Sequence, residues 1–301
     1  MVAKGVPAIE RRVPRSPFRR TVVKRIARMS NFPWIPIAAA ASIVVAIVLG
    51  VFNPKRISGP QRLSPGESPF VLFRAIGFAL AAWAMSQLLI AVVHQSLAKQ
   101  QNRPATTRFS DSETVVYGGS IKLAVFAAML AATAWTRRDG VKRVGISPRR
   151  IPSGMIAGVF GIALALPLIV CVDALTQLTL EHLGKSPPPH QLLEILKTNP
   201  SGWLRLADVL AAGVAAPLAE EMFFRGLLQT LFRYLFGRTW PAVFLAAAAF
   251  ALMHSWWTWP QIFFLGVCLG YAYERTGNLW MSITMHAAFN LTSIWLFTHW
   301  G

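Results

Sequence analysis

The stretch Glu220-Glu221-Met222-Phe223-Phe224-Arg225 places three ionisable side chains inside an otherwise apolar part of the chain. Alanine-rich sequence precedes it over 209–219, and leucine- and phenylalanine-rich sequence follows it over 227–235. An ionised side chain at the centre of a membrane helix costs roughly 2.5–3.5 kcal/mol on insertion scales, so such groups usually face a bundle interior or a wet cavity. The stretch therefore indicates a functional site.

A helix through this stretch would separate the two carboxylates. Glu221 and Arg225 are four residues apart, a spacing that puts both side chains on one helix face. Glu220 points about 100° away from Glu221, because an α-helix has 3.6 residues per turn. We therefore expect Glu221 to pair with Arg225, which leaves Glu220 free for another role.

The composition is typical of a polytopic membrane protein. Only 14% of the 301 residues are charged and 54% are hydrophobic, whereas a soluble domain is about 25% charged. We predict an all-α fold, a polytopic membrane helical bundle with about eight transmembrane helices, each near the roughly 20 residues that cross a bilayer. The apolar segments lie at about 35–52, 70–97, 115–135, 152–180, 203–236, 240–256, 260–273 and 280–298.

Polar and basic sequence divides the chain into four regions. They are a basic N-terminal tail (1–34), N-terminal transmembrane helices (35–180), a polar loop with an amphipathic stretch (181–202) and a dense C-terminal set of helices (203–301). The apolar residues within 192–196 predict a short helix lying in the membrane interface, and a plain connecting loop is the alternative. Cys171 and Cys268 lack paired metal-ligand spacing, so we interpret them as buried free thiols.

The net charge of +18 is concentrated in the tail and in the loop Arg137–Arg150. Within a membrane protein this pattern favours an orientation signal and contact with anionic lipids, and no nucleic-acid partner is expected. We expect a cytoplasmic N-terminus. If successive segments each cross the membrane, the basic loop then lies outside, which conflicts with the preference of basic loops for the cytoplasmic side. Either an early segment does not span the membrane, or the basic tail determines the orientation. Lys122 lies inside the third apolar segment, where one lysine is too weak a signal to use.

More polar residues are stranded in the apolar C-terminal third. His254 ends the run 244–253, with Phe250 one helical turn before it on the same face. His286 and Asn290 are four residues apart and also share a face. A bundle can bring such groups from separate segments together in its core. These residues could instead have independent structural roles, as a Glu–Arg ion pair, a packed histidine and an interhelical hydrogen-bond patch. One shared site explains the set better.

A carboxylate, two imidazoles and a carboxamide shielded from bulk water suit hydrolysis. A glutamate can take a proton from water, and a histidine can orient that water or protonate a leaving amine. A second histidine and an asparagine can donate to a developing oxyanion, where losing one donor costs about 3–4 kcal/mol in other enzymes. Glu220, His254 and His286 could instead bind a divalent metal such as zinc, with an activated water in an open position.

Three motifs carry a resemblance to a known family. Glu220-Glu221-x-x-x-Arg225, Phe250-x-x-x-His254 and His286-x-x-x-Asn290 resemble the motifs of the CPBP family, the CAAX-protease and bacteriocin-processing intramembrane proteases, in order and spacing. The flanking Phe224-Arg225-Gly226 and the stretch 270–278 also fit. The resemblance covers roughly 203–295, and the N-terminal half matches only as a set of membrane spans.

The resemblance implies an α-helical membrane enzyme of the CAAX prenyl endopeptidase type, with its catalytic helices in 203–301. Glu220 would be the base that activates water, assisted by His254, while His286 and Asn290 would stabilise the oxyanion. Glu221 would belong to the catalytic set, with Arg225 and Phe250 as structural support. The family is described both as metalloproteases and as metal-independent glutamate proteases, so metal dependence stays open.

The leading hypothesis is an intramembrane endopeptidase that acts on a membrane-associated or lipidated protein or peptide. A non-catalytic immunity or scaffold protein of the same fold is one alternative, and a proton-coupled transporter that uses Glu220 and the histidines as a relay is another. The absence of an internal repeat in the sequence counts against the transporter. We expect an integral, multi-pass protein of a bacterial inner membrane.

Overall fold

A computed structural model describes residues 34–48, 70–100, 109–136, 140–185, 191–198 and 201–300, and these ranges contain nine helices and no strand. The basic tail predicted over 1–34 therefore lies outside the described residues except for its last position, as do Arg137 and Arg138 of the basic loop. The helices are α1 Trp34–Val48, α2 Phe70–Gln100, α3 Asp111–Thr136, α4 Ile151–His182, α5 Gln191–Thr198, α6 Gly202–Phe236, α7 Thr239–Leu252, α8 Trp259–Thr276 and α9 Leu279–Trp300.

A helix lies within each of the eight apolar segments, as far as these are described, and the all-α prediction is confirmed. Among the described residues, four helices are long and apolar enough to cross a membrane: Leu72–Gln100, Asp111–Trp135, Pro148–His182 and Gly202–Phe236. The apolar stretches Pro36–Ile47 and Thr239–Leu252 are shorter. Helices α8 and α9 contain more polar side chains and are not among these four. Length and apolarity therefore support four membrane spans, whereas eight is the number of helices at the predicted segments.

The amphipathic stretch forms helix α5, but part of its apolar face packs against protein. Ile195 and Leu196 are buried, and Ile195 lies in a small cluster with Val115 of α3 and Leu204 of α6. The preceding polar region is not all loop, because helix α4 continues to His182. Helix α5 is therefore tied to the bundle through Ile195.

Helix α6 runs without a break from Gly202 to Phe236, yet its turns are not uniform. Wider π-helical turns cover Ala211–Ala215 and Met222–Gln229, on either side of the short α-helical stretch Ala216–Glu221. Turns of the π type are rare and occur frequently at functional sites, where they change the direction in which following side chains point. The Glu220-Glu221 pair stands between two such stretches.

Helix α3 packs closely along α6. A methyl group added at Gly119 would lie 3.3 Å from Cβ of Ala211, so the two backbones approach each other there. Farther along, Val125 and Phe126 of α3 pack against the core cluster that contains Ala219 and Met222 of α6. The two helices are thus fixed together on both sides of Lys122.

Glycines also bring helix α4 against α9. A Cβ at Gly154 would lie 2.6 Å from Cβ of Trp280, and one at Gly158 would lie 2.6 Å from Cβ of Thr284. Small residues four apart let helix backbones approach closely, which is a common device in membrane bundles. This contact sets the position of α9, and therefore of His286.

The basic loop docks onto the turn between α8 and α9. Gly145 has a φ of +84°, and a Cβ there would lie 2.6 Å from the carbonyl oxygen of Gly277, so only glycine fits. The backbone N–H of Leu279 donates to Gly145 O over 3.3 Å, and the guanidinium of Arg150 donates to Gly277 O over 2.8 Å. The amide of Asn278 donates back to Arg150 O over 3.1 Å. These bonds anchor the first turn of α9.

Candidate active site

Glu221 and Arg225 form the buried ion pair that their spacing predicts. Arg225 NH1 lies 2.9 Å from Glu221 Oε1, and both side chains are fully buried. Arg225 NH2 also donates to the carbonyl oxygen of Gly266 on α8, over 3.1 Å. Because a buried charge is stable only when it is paired and hydrogen-bonded, these contacts hold α6 and α8 in one arrangement.

His286 of α9 lies between the two glutamates. Its Nδ1 is 2.8 Å from Glu221 Oε1, and its Nε2 is 3.9 Å from Glu220 Oε2. Since a carboxylate only accepts hydrogen bonds, Nδ1 donates to Glu221. His286 can then donate through Nε2 only when the ring is doubly protonated, a form that carries positive charge toward Glu220.

Glu220 occupies a different environment from Glu221. Its side chain is 21% exposed, and its Oε1 forms an ion pair of 2.6 Å with Nζ of Lys122 on α3. Its other oxygen, Oε2, is directed toward His286. One oxygen of Glu220 is thus bound to a cation, while the second faces the ring from α9.

Phe250 of α7 is the fully buried ring that joins the other groups. The guanidinium of Arg225 lies 4.6 Å from its centroid, and the rings of His254 and His286 make edge contacts at 4.8 and 5.5 Å. Arg225 therefore gains a cation–π contact in an apolar setting. Phe250 thus contacts both histidines and the cation of the ion pair.

Helix α7 ends at Leu252, before the end near 256 that was predicted for its apolar segment. His254 therefore lies two residues beyond the helix. Its Nδ1 is 2.8 Å from the carbonyl oxygen of Phe250, and a carbonyl can only accept, so Nδ1 carries the proton. In the neutral ring Nε2 is then the basic nitrogen. Trp259 Nε1 donates to His254 O over 2.9 Å, which fixes this turn.

Asn290 contacts the same helix as the glutamates but two turns earlier. Its Nδ2 donates to the carbonyl oxygen of Ala212 over 2.8 Å, within the first π-helical stretch. The side chain of Asn290 thus ties α9 to α6. One of its two N–H groups is engaged there, and the second is available to another acceptor.

The tentative metal ligands Glu220, His254 and His286 do not form a metal-binding cluster in this arrangement. Within the described residues, no group of three or more His, Cys, Asp or Glu side chains is placed to hold a metal ion. The ammonium of Lys122 already neutralises Glu220 at 2.6 Å. The assignment of a metal to these three residues stays a prediction.

Sequence reasoning missed Lys122 as a member of this site. Lys122 and Glu220 are 98 positions apart, and a lone lysine in an apolar segment has the same sequence signature whether it reaches the interface or an acidic partner. Only the packing of α3 on α6 separates the two outcomes. The pair Glu220-Glu221 was the one available signal that a cation lies nearby, because two carboxylates in an apolar segment need more positive charge than Arg225 alone supplies.

Comparison with known proteins matches one family model to the segment that contains the glutamates, both histidines and Asn290. Residues 202–292 match the family model described as type II CAAX prenyl endopeptidase Rce1-like. The UPF0177 protein YaiF of Lactococcus lactis subsp. lactis (strain IL1403) is 31% identical over 105 residues, which is 34% of this chain and 46% of that protein. The chain thus spans about half the length of this curated relative, and no solved structure matches the chain significantly.

The matched segment contains all three motifs of the sequence analysis, from Glu220 to Asn290. The four long apolar helices, with this match, indicate an integral membrane protein. The CAAX-type resemblance is therefore confirmed for this segment: residues 202–292 match the family model described as type II CAAX prenyl endopeptidase Rce1-like.

Proposed function

We propose that the protein is an intramembrane endopeptidase that hydrolyses a peptide bond of a membrane-associated or lipidated protein or peptide. The observation that supports this most is that His254 and His286 both contact the buried ring of Phe250, while Glu220 faces His286 at 3.9 Å. The family match supports a peptidase in general terms.

In the proposed reaction Glu220 Oε2 accepts a proton from a water molecule, whose oxygen attacks the carbonyl carbon of the scissile bond. The neutral Nε2 of His254 helps to orient this water. The new oxyanion is stabilised by the doubly protonated ring of His286, which donates through Nε2, and by the second N–H of Asn290. When the C–N bond breaks, the leaving amine takes the proton that Glu220 accepted, so the carboxylate is regenerated.

The roles of Glu221 and Arg225 in this proposal are to place His286. Glu221 accepts from His286 Nδ1 and thereby directs Nε2 toward Glu220. Arg225 neutralises Glu221, which is fully buried. Such a carboxylate behind a histidine fixes the ring orientation and keeps a proton on Nδ1, so that Nε2 is the nitrogen that faces the reacting groups.

Cleavage of membrane-anchored peptides by the purified full chain tests the proposal. The library includes peptides with a prenylated C-terminal CAAX sequence and peptides without it, and the products are identified by mass spectrometry. We expect cleavage by the wild type, none by Glu220→Ala, and no loss on adding a chelator. Cleavage that Glu220→Ala retains would contradict the proposal, and chelator-sensitive activity that zinc restores would replace the glutamate mechanism with a metal-dependent one.

We also propose that the protein resides in the inner membrane of a bacterium, with the basic tail against anionic lipids. The bacterial source of the matched relative and the clustered positive charge support this placement. Fractionation of native membranes tests it: recovery in another fraction would contradict the location. Binding that does not depend on the fraction of anionic lipid in vesicles would contradict the role of the tail.

A further inference from the structure

The ion pair between Lys122 and Glu220 joins the family segment to a helix outside it. Lys122 belongs to α3, whereas the family match begins at residue 202. The distance between Lys122 Nζ and Glu220 Oε1 is 2.6 Å, with side-chain exposures of 37% and 21%. The contact is thus partly shielded, so its charge interaction is stronger than that of a pair in open water.

The backbone of Lys122 is fixed relative to Glu220. One turn before it, Gly119 approaches Ala211 of α6 closely, and one turn after it, Phe126 packs on the core cluster that contains Ala219. Lys122 therefore reaches Glu220 from a rigid base, and the contact does not depend on a loop. This is the geometry that a positioning residue requires, because the group that positions must itself be held.

The other charged groups near Glu220 cannot take the place of Lys122. Arg225 is directed to Glu221 and Gly266 through its two terminal nitrogens. His286 approaches Glu220 through the opposite carboxylate oxygen, Oε2. His254 bonds through Nδ1 to the carbonyl of Phe250. The hydrogen bond from Lys122 thus holds one carboxylate oxygen of Glu220, so that the other oxygen faces His286.

We propose that Lys122 is a positioning residue for the reaction: it holds Oε1 of Glu220 so that Oε2 stays directed at the water and at His286. This inference rests on the proposed function, since it assigns a role within the same reaction. It also implies that the family segment alone is an incomplete site, because α3 supplies one of its contacts. Without Lys122 the glutamate side chain can rotate among its staggered conformers, and its reactive oxygen is no longer fixed.

The test compares Lys122→Met, Lys122→Arg and Lys99→Met in the full chain, with kcat and KM measured separately on one cleaved peptide. We expect kcat of Lys122→Met to fall about 10- to 100-fold, as for other small misplacements of a reacting group. KM should stay within about twofold, because the lost contact acts on the transition state and not on substrate binding. Lys122→Arg, which keeps a cationic donor, should restore much of kcat, and Lys99→Met controls for loss of one lysine charge.

Folding is checked by size-exclusion chromatography and by the apparent Tm in detergent. If Lys122→Met does not fold, Lys122→Ala takes its place with the same expectation, because alanine is the residue most favourable to a helix. A wild-type kcat in the folded variant would overturn the positioning role alone. So would a rise in KM without a change in kcat, or Lys122→Arg as inactive as Lys122→Met. A wild type that cleaves nothing overturns the proposed function first, and the positioning role with it.

Discussion

At the scale of single residues, Arg225 joins three buried contacts at once. It is fully buried, forms the ion pair with Glu221, donates to Gly266 O and lies over the ring of Phe250. A buried pair is not intrinsically strong, because desolvation offsets most of the attraction, but removing one partner leaves an uncompensated charge. The contribution of Arg225 therefore appears mainly when it is removed alone.

We predict that Arg225→Met destabilises the protein by about 3–5 kcal/mol, because Glu221 stays buried without its cation. The double variant Glu221→Gln/Arg225→Met should recover a large part of this loss, since it removes both charges together. Denaturant or thermal unfolding of the three proteins in one detergent measures the difference. A single variant as stable as the wild type, or a double variant with the full loss of the single one, would contradict this account of the pair.

At the scale of the elements, the glycine contacts of α4 determine where α9 places its histidine. Gly158 meets Thr284, which precedes His286 by two residues, at a distance that leaves no room for a methyl group. Gly77 of α2, in contrast, has nothing within 4 Å of an added Cβ. The two positions form a matched pair, since both are glycines within long apolar helices.

We predict that Gly158→Ala lowers the apparent Tm and the cleavage rate, because overpacking costs about 1–3 kcal/mol and displaces α9 from its close contact with α4. Gly77→Ala should leave the rate unchanged and stabilise its helix by about 0.5–1 kcal/mol. Cleavage kinetics and thermal unfolding of both variants provide the measurement. Equal behaviour of the two substitutions would show that the close contact with Thr284 does not position the site.

Much of this element-scale organisation could be predicted from the sequence. Apolar runs specify helices in a membrane protein because every backbone polar group must be satisfied within the segment, and a helix was found at each predicted run. The Glu221–Arg225 pair also follows from helical spacing. The two π-helical stretches of α6 could not be predicted, because no residue type requires a π turn. The contact of Asn290 with Ala212 depends on that local geometry.

For the whole molecule, the two halves of the chain meet at one carboxylate. The C-terminal half supplies Glu220, His254 and His286, and the N-terminal half supplies Lys122 and the glycines of α4. The sequence could not indicate this division, because Lys122 is connected to Glu220 only through the packing of α3 on α6. If the family segment were separated from α3 and α4, Glu220 would lose the cation of Lys122. Helix α9 would also lose its close packing against the glycines of α4.

The measurement that tests the account most directly is cleavage of one identified peptide in ¹⁸O-labelled water by the wild type and by Glu220→Gln. The amide keeps the size of the side chain but cannot accept the proton of water as a carboxylate does. We predict one ¹⁸O atom in the new carboxyl group of the wild-type product, and a cleavage rate at least about 100-fold lower for folded Glu220→Gln. Cleavage by Glu220→Gln at the wild-type rate would contradict the assignment of Glu220 as the base.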